Sequence, residues 1–144
     1  HDLAVRFSRC CNPVPGDEIV GFVTRGRGVS IHLTDCINVI NLPEDERGRL
    51  IDAEWQVAEN PTSTEQYSTE IQIFANNRIG LFADISKVFT EKQIDITSMN
   101  VRTSKQGRAT IIMTFDIHGT EELNRITDKI RQIDGVLDIQ RTTG

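Results

Sequence analysis

The sequence has few of the features that mark secreted and membrane proteins. Its 144 residues hold three cysteines, an odd number with two of them adjacent, which is a poor basis for disulfides and favours a reducing cytoplasm. No apolar run approaches the roughly 20 residues that a membrane-spanning helix needs, and no charged-then-apolar leader opens the chain. The first residue is not methionine, so we expect a cytoplasmic fragment of a longer protein, with no membrane partner.

Motifs of common enzyme classes are also missing. The sequence has no glycine-rich phosphate loop with a lysine and no nucleophile elbow. His1 and Asp2 spell the dipeptide of metal phosphohydrolases, but the further metal ligands of such a site are not found. We therefore predict that this fragment binds its partners and catalyses nothing.

Charge is distributed unevenly along the chain. The net charge is −5, and residues 35–68 hold eight acidic against two basic residues. The acidity thus belongs to a connector, so the net charge does not exclude a nucleic-acid partner for either flanking part. Residues 60–64 are polar, contain a proline and show no apolar periodicity, which is typical of a linker. We predict two domains, 1–63 and 64–144.

The first domain is predicted to be small and rich in β-structure. Strands are indicated at residues 18–23, 29–33 and 50–57 by β-branched and alternating apolar residues. Asp35 is placed to cap a short helix covering residues 36–41. About 60 residues with so few apolar groups form a core of marginal stability. We therefore expect this domain to be stabilised by a cross-link or by packing against other domains.

The second domain has a clearer pattern, predicting the order β-α-β-β-α-β. Strands are predicted at 67–75, 94–103, 109–117 and 136–141, with a hairpin turn at 104–107. Apolar residues recur at helical spacing in two segments: Leu81, Ile85, Val88 and Phe89, then Leu123, Ile126, Ile130 and Ile133. The chain is therefore expected to be α+β, with a cysteine-containing β-rich domain followed by a ferredoxin-like sandwich.

The three cysteines and one histidine form a candidate metal site. Cys10, Cys11, His32 and Cys36 supply the four thiolate and imidazole ligands that zinc prefers. Adjacent residues on a strand point to opposite faces, so both Cys10 and Cys11 can reach one metal only if the chain turns there. The alternative is that the cysteines are small buried apolar residues and His32 is a polar surface residue. No spaced cysteine pair of a dithiol motif is present to indicate a redox role.

A compact cationic turn at residues 25–28 is a candidate phosphate contact. Its glycines allow close approach of the backbone, and Arg25 and Arg27 supply the charge. Arg6 and Arg9 could join them in contacting RNA. The alternative is a solvated hairpin tip.

The turn at residues 76–81 leads from a strand directly into a helix. Free N–H groups at a helix start favour an anion such as a carboxylate or a phosphate, and Gly80 permits close approach. The alternative is that the turn only caps the helix.

Two stretches of the sequence resemble parts of one protein family. RCCNPVPGDEIVGFVTRGRGVSIHLTDCIN (residues 9–38) resembles the zinc-finger, conserved-cysteine or ribosome-intersubunit domain of RelA/SpoT homologues. NRIGLFADISKVFTEKQIDITSMNVRTSKQGRATIIMTFDI (residues 77–117) looks like an ACT domain, which ends the same proteins. The resemblance covers nearly the whole chain.

This resemblance implies that the chain is the C-terminal regulatory part of a stringent-response enzyme. The parent would make guanosine tetra- and pentaphosphate from ATP and GTP or GDP, and bifunctional members would also hydrolyse it. The regulatory part would dock on the ribosome beside an uncharged tRNA and restrain the N-terminal catalytic domains. Zinc at the four cysteine and histidine positions would fit the family's domain name.

The ACT resemblance implies an amino-acid ligand at a homodimer interface. The contacting residues would be Asn76, Asn77, Ile79, Gly80, Leu81 and Asn100, with a branched-chain amino acid such as valine or isoleucine as ligand. Thr110, Ile112 and Thr114 are expected on a sheet face that no helix covers, where a second copy can pair. The alternative is an ACT sensor or dimerisation module with no direct role in RNA binding.

Overall fold

The computed structural model describes residues 4–26, 28–56 and 65–142, which divide into two compact units. The first unit extends to Glu65 and the second covers Gln66–Thr142. The predicted boundary at residues 63 and 64 lies outside the described residues and stays a prediction. No helix in the described ranges is both long and apolar enough to cross a membrane.

The first unit is a four-stranded sheet with one short α-helix and one 3₁₀ helix. Its elements in chain order are β1 (Ala4–Phe7), β2 (Ile19–Val23), β3 (Gly28–Leu33), α1 (Ile37–Ile40), the 3₁₀ helix (Glu44–Arg49) and β4 (Leu50–Asp52). The strands lie in the order β1-β3-β2-β4. β1 runs parallel to β3, and the other pairs are antiparallel.

Gly21 sets how closely β4 approaches the centre of this sheet. It pairs with Ile31 on one side and with Ile51 on the other. A Cβ at Gly21 would lie 2.9 Å from Cγ1 of Ile51 and 3.0 Å from Cγ1 of Val29. Real Cβ atoms do not come this close, so a larger residue would push these apolar side chains apart.

Two sequence predictions for the first unit were wrong in detail. Asp35 is exposed and does not cap α1, because Cys36 takes the N-cap position and makes no side-chain cap bond. The strand predicted at 50–57 pairs with β2 over only three residues. Beyond β4, Trp55 stacks on Phe7, with ring centroids 5.4 Å apart, and its Nε1 donates to the backbone oxygen of Asp17 at 3.0 Å.

The second unit has the predicted β-α-β-β-α-β order and ferredoxin-like topology. Its elements are β5 (Tyr67–Asn76), α2 (Leu81–Glu91), β6 (Ile96–Thr103), β7 (Arg108–Ile117), α3 (Thr120–Arg131) and β8 (Val136–Arg141). The sheet order β6-β7-β5-β8 places the first and third strands of the unit at the centre, with every pair antiparallel. The α+β fold class is confirmed.

Both helices of the second unit bury the faces that the sequence pattern predicts. In α2 the buried residues are Leu81, Ile85, Val88 and Phe89, and in α3 they are Leu123, Ile126 and Ile130. Ile133 was predicted on the same face but lies beyond the end of α3. α3 ends at Arg131, and Gly135, with φ of +99°, lies directly before β8.

One sheet face carries the helices and the other does not. Phe89 of α2 packs edge-on against Phe115 of β7, with ring centroids 4.9 Å apart. Thr110, Ile112 and Thr114 alternate with the buried residues of β7, so they point to the opposite face, where each is half-buried. The prediction for these three residues is confirmed.

Thr69 is a polar residue in the core of the second unit. It is fully buried opposite Phe115, and its hydroxyl has no hydrogen-bond partner among the described residues. A buried hydroxyl without a partner costs free energy, because its bonds to water are lost on folding and not replaced.

We expect Thr69→Val to raise the free energy of unfolding by about 1 kcal/mol, because it removes the unpaired hydroxyl and keeps the shape. Thr114→Val is the matched control on the neighbouring strand, since the Thr114 hydroxyl donates to Oε1 of Glu70 at 3.3 Å. Urea unfolding should show a gain for Thr69→Val and none for Thr114→Val. Equal changes in both variants would contradict this account.

Candidate metal centre

A tight turn after β1 brings the two adjacent cysteines to the same side. The backbone N–H of Asn12 donates to the carbonyl oxygen of Ser8 at 2.9 Å, which closes one turn around Cys10 and Cys11. Asn12 has φ of 49°, a left-handed conformation that asparagine tolerates better than most residues. Because the chain turns here, the alternation that would separate neighbouring thiols on a strand does not apply.

The other two ligands come from the end of β3 and the start of α1. His32 is the fifth residue of β3, and Cys36 precedes the first residue of α1. The N–H of Cys36 donates to the carbonyl oxygen of Leu33 at 3.0 Å, so a compact turn joins the two elements. Cys11 and Cys36 are fully buried, and both belong to an apolar cluster with Leu33 and Val39.

The four ligand atoms all lie within 4.8 Å of one another. Sγ of Cys10 lies 3.3 Å from Sγ of Cys36, 3.9 Å from Sγ of Cys11 and 3.4 Å from Nδ1 of His32. Tetrahedral zinc with sulfur ligands at about 2.3 Å requires sulfur atoms roughly 3.8 Å apart. The predicted convergence is therefore confirmed, and the donor set and its spacing fit a zinc ion.

Ser30 orients the histidine of this cluster and was missed by the sequence analysis. It is buried, and its Oγ lies 2.9 Å from Nε2 of His32, whose Nδ1 faces Cys10. Burial, together with the positive charge of Arg6, lowers the pKa of His32 and favours the neutral imidazole that binds metals. The signal for Ser30 was its place two residues before His32, on the same face of β3.

The arginines predicted to contact RNA differ in their solvent exposure and in their ion pairs. Arg6 on β1 and Arg9 after it are exposed. Arg25 is also exposed, but its Nη2 lies 2.9 Å from Oε1 of Glu46. Arg27 lies outside the described residues, so its side chain is not placed.

The loop at residues 76–81 is held in place by Arg78, a second residue that the sequence analysis missed. Its Nε donates to the carbonyl oxygen of Asp134 at 2.8 Å, its Nη1 to the carbonyl oxygen of Ile79 at 3.0 Å, and its Nη2 to Oδ2 of Asp84 at 2.8 Å. The N–H of Asn76 donates to the carbonyl oxygen of Gly135 at 2.7 Å. The loop is thereby tied to the turn before β8.

Some of the N–H groups predicted to face a ligand already have partners in the protein. The N–H of Asn77 donates to the carbonyl oxygen of Gly107 at 2.8 Å, and that of Leu81 to the carbonyl oxygen of Arg78 at 3.3 Å. Gly80 has φ of +82° at the N-cap of α2, where no side chain caps the helix. Ile79 is fully exposed at 100%. The N-terminus of α2 is thus left to solvent around Ile79 and Gly80.

Asn100 lies on β6, away from this loop in the strand register. It is exposed and pairs with Ile112, so it belongs to the sheet face without helices. Within one chain, therefore, Asn100 and the 76–81 loop lie in different parts of the second unit.

Two family models match the chain, one for each unit. The RelA/SpoT RIS domain matches residues 1–56, and the ACT domain matches residues 63–141. The chain belongs to the RelA/SpoT family. Within this family it represents the C-terminal regulatory region, with the cysteine and histidine cluster in the RIS domain.

The curated RelA/SpoT relatives are much longer than this chain. A GTP pyrophosphokinase of Streptomyces coelicolor is 38% identical over 99% of the chain and 16% of the relative's length. The Escherichia coli GTP pyrophosphokinase is 36% identical over 99% of the chain and 19% of its own length. The bifunctional (p)ppGpp synthase/hydrolase RelA of Mycobacterium tuberculosis is 36% identical over 98% of the chain and 18% of its length.

Among solved structures, the ACT domain from a GTP pyrophosphokinase of Chlorobium tepidum is similar to this RelA/SpoT chain. It is 22% identical with a TM-score of 0.49, and the match covers 54% of this chain and 99% of that domain.

The three thiols of this RelA/SpoT chain differ in how readily they ionise. Burial raises the pKa of Cys11 to about 12 and also raises the pKa of Cys36. Burial opposes ionisation of Cys10 too, but hydrogen bonds from Ser8, Asn38 and the neighbouring thiols outweigh it and lower the pKa of Cys10. Cys10 is also the only one of the three that is partly exposed.

In the metal-free protein we expect iodoacetamide to modify Cys10 first, at least about tenfold faster than Cys11 or Cys36 near pH 8. The reason is that the thiolate is the reacting form, and only Cys10 combines a lowered pKa with access to solvent. Mass spectrometry of peptides at successive times measures the three rates. Equal labelling of a buried thiol would show that the pKa order is wrong.

Proposed function

We propose that this chain is the regulatory region through which a (p)ppGpp synthetase, or synthetase and hydrolase, responds to the ribosome. The full-length protein would use ATP with GTP or GDP, and this region would restrain its N-terminal catalytic domains until it docks beside an uncharged tRNA. The observation that carries this proposal is the RIS and ACT tandem, at residues 1–56 and 63–141, in a chain that aligns with GTP pyrophosphokinases over nearly its whole length.

We propose no catalytic role for this region itself, and place the protein in the cytoplasm. Its sequence holds no phosphate-binding loop with lysine and no nucleophile elbow. The catalytic activity named for the relatives would then reside in the more than four-fifths of their length that this chain does not match.

We further propose that Cys10, Cys11, His32 and Cys36 hold a structural zinc ion. The mutual distances of the four ligand atoms and the Ser30 hydroxyl on the histidine support this, because metal-bound imidazoles almost always donate their other N–H. Four protein ligands leave no open coordination position for a substrate. The ion would therefore have a structural role and hold the turn after β1 together with β3 and α1.

Zinc binding can be tested through Ser30, which touches the ligand but not the ion. We expect Ser30→Ala to weaken zinc binding by about 10-fold to 100-fold, because the imidazole loses its fixed orientation. Competition with a chromogenic chelator measures the affinity, and Co²⁺ substitution reports tetrahedral geometry. Ser98→Ala, at an exposed position of β6, is the control and should leave zinc binding unchanged.

Absence of zinc from protein purified under reducing conditions, together with no tetrahedral Co²⁺ spectrum, would refute the metal site. Zinc binding with no effect of Ser30→Ala would keep the site but remove the assigned role of Ser30.

The RIS domain is proposed to contact ribosomal RNA through its exposed arginines. Arg6 and Arg9 are exposed on and just after edge strand β1, so their charges are available to phosphates. Arg25 joins them only if it exchanges Glu46 for a phosphate, which costs little because exposed ion pairs are weak. Arg27 remains part of this proposed contact.

We expect Arg6→Ala combined with Arg9→Ala to weaken binding to a ribosomal RNA fragment and to lower the salt slope by roughly one for each lost phosphate contact. Arg125→Ala combined with Lys129→Ala, at exposed positions of α3 in the other unit, is the control that removes the same number of positive charges. Filter binding across a series of salt concentrations measures both quantities. If the control weakens binding as much as the pair does, the RNA contact is not local to the RIS domain.

A second candidate function is amino-acid sensing by the ACT domain. The uncapped start of α2 and the left-handed Gly80 support a carboxylate site there, because a helix N-terminus carries partial positive charge. Asn100 lies on the open sheet face. We propose that a homodimer formed through the ACT domain brings Asn100 close to the 76–81 loop of the second copy. Its amide oxygen would there accept a hydrogen bond from the ammonium group of the ligand. The ligand would be a branched-chain amino acid such as valine or isoleucine.

We expect calorimetry with a panel of amino acids to give binding heat for valine or isoleucine, and Gly80→Val to abolish it. Valine is strained at a φ of +82°, and its side chain fills the approach to the helix. Gly48→Val is the control, since a Cβ there meets no atom within 4 Å. Sedimentation of the same samples should show a dimer.

Heat that persists in Gly80→Val would place the ligand elsewhere. No heat for any amino acid would leave the ACT domain as a docking or dimerisation module, and a monomer at high micromolar concentration would exclude the shared site.

A further inference from the structure

We propose that Cys10 and Cys36 form a peroxide-oxidisable pair that closes to a disulfide. The amino-acid pattern does not indicate such a pair, because the two cysteines are 26 positions apart and no spaced dithiol motif is present. The structure brings Sγ of Cys10 to 3.3 Å from Sγ of Cys36, closer than the 3.9 Å between Sγ of Cys10 and Sγ of Cys11. The inference rests on this thiol geometry and goes beyond the proposed zinc site.

Access selects Cys10 as the thiol that meets the oxidant. It is partly exposed, whereas Cys11 and Cys36 are fully buried. Oγ of Ser8 lies 2.8 Å from Sγ of Cys10, so a hydroxyl stands beside the sulfur that reacts. Exposure to solvent is one of the properties that make a cysteine susceptible to oxidation.

Backbone geometry selects Cys36, rather than Cys11, as the partner. Consecutive Cα atoms are about 3.8 Å apart across a trans peptide, which is below the 4.4–6.8 Å usual for disulfides. No described peptide bond is cis, so Cys10 and Cys11 are joined by a trans peptide. The N–H of Leu33 also holds Sγ of Cys11 in the buried cluster, at 3.3 Å.

The chemistry needs one peroxide molecule and no further reductant or oxidant. The sulfur of Cys10 attacks one peroxide oxygen, the O–O bond breaks, and a first water leaves after the departing hydroxide takes a proton. The sulfur of Cys36 then attacks the sulfur of the sulfenic acid on Cys10. The S–S bond forms as the S–O bond breaks, and the leaving hydroxide takes the thiol proton of Cys36 to give a second water. Two thiols are oxidised by two electrons in total, and the peroxide is reduced to two waters.

Closing this disulfide would remove two of the four proposed zinc ligands. Cys11 and His32 alone do not hold a structural zinc ion, so oxidation would release the metal. The disulfide would join the same two segments that the metal joins, the turn after β1 and the start of α1. Oxidation would therefore replace the metal cross-link by a disulfide cross-link between the same two segments, and the segments would stay joined.

The test treats the reduced chain with hydrogen peroxide, both metal-free and loaded with zinc, and maps the products by mass spectrometry. Trypsin separates Cys36 from the adjacent pair, because Arg25 and Arg27 lie between them. We expect a peptide pair linked through Cys10 and Cys36, reversed by dithiothreitol. In the zinc-loaded sample we expect one zinc released for each disulfide, detected with a chromogenic chelator.

Two variants separate the roles of the thiols. Cys36→Ser should leave Cys10 as a sulfenic acid that dimedone traps, with no link within the chain. Cys11→Ser should still form the disulfide, because Cys11 takes no part in it. Fluorescence of Trp55, which stacks on Phe7 in the same unit, reports whether each variant is folded.

A disulfide through Cys11, or sulfinic acid on Cys10 without any disulfide in the unaltered chain, would overturn the proposal. This reading of the unaltered chain does not depend on whether the variants fold. Failure of the zinc proposal would be seen separately, as a chain that binds no zinc yet still forms the disulfide.

Discussion

The RIS domain depends on the convergence of four side chains from three segments. The turn after β1, the end of β3 and the start of α1 each contribute at least one ligand atom, and all four atoms lie within 4.8 Å. A unit of about 60 residues has little apolar core with which to hold such segments together. Two of the four candidate ligands, Cys11 and Cys36, lie inside that small core beside Leu33 and Val39, so they are also core residues. The metal-ligand and buried-residue interpretations of these cysteines are therefore compatible.

The ACT domain is stabilised in a different way. Its two helices cover one face of a four-stranded sheet, and the buried side chains come from both helices and from every second position of β5 and β7. Phe89 against Phe115 shows how closely helix and sheet pack. Helices packed on one face of a sheet bury an apolar core between the two layers, and no helix of the described residues of this unit covers the opposite face.

This difference explains how much could be predicted from the sequence. The helix and strand positions of the ACT domain follow from apolar periodicity, because apolar residues recur at the positions that face the core. All four buried residues of α2 were predicted in this way. In the RIS domain the ligand set was predicted from residue type, but the local elements were not. Cys36, not Asp35, is the N-cap residue of α1, and Trp55 stacks on Phe7, a contact between residues distant in sequence that a local pattern does not indicate. Ser30 and Arg78 were missed because their roles depend on side-chain bonds that periodicity does not encode.

Arg78 links two segments of the ACT domain, the start of α2 and the turn before β8. One guanidinium bonds to its own loop, to the first turn of α2 and to the turn before β8. Displacing that single side chain removes three hydrogen bonds together, and the backbone hydrogen bond from Asn76 to the carbonyl oxygen of Gly135 still joins the loop to the turn. The start of α2 and the turn that leads into β8, the strand at the edge of the sheet, therefore share one side-chain attachment.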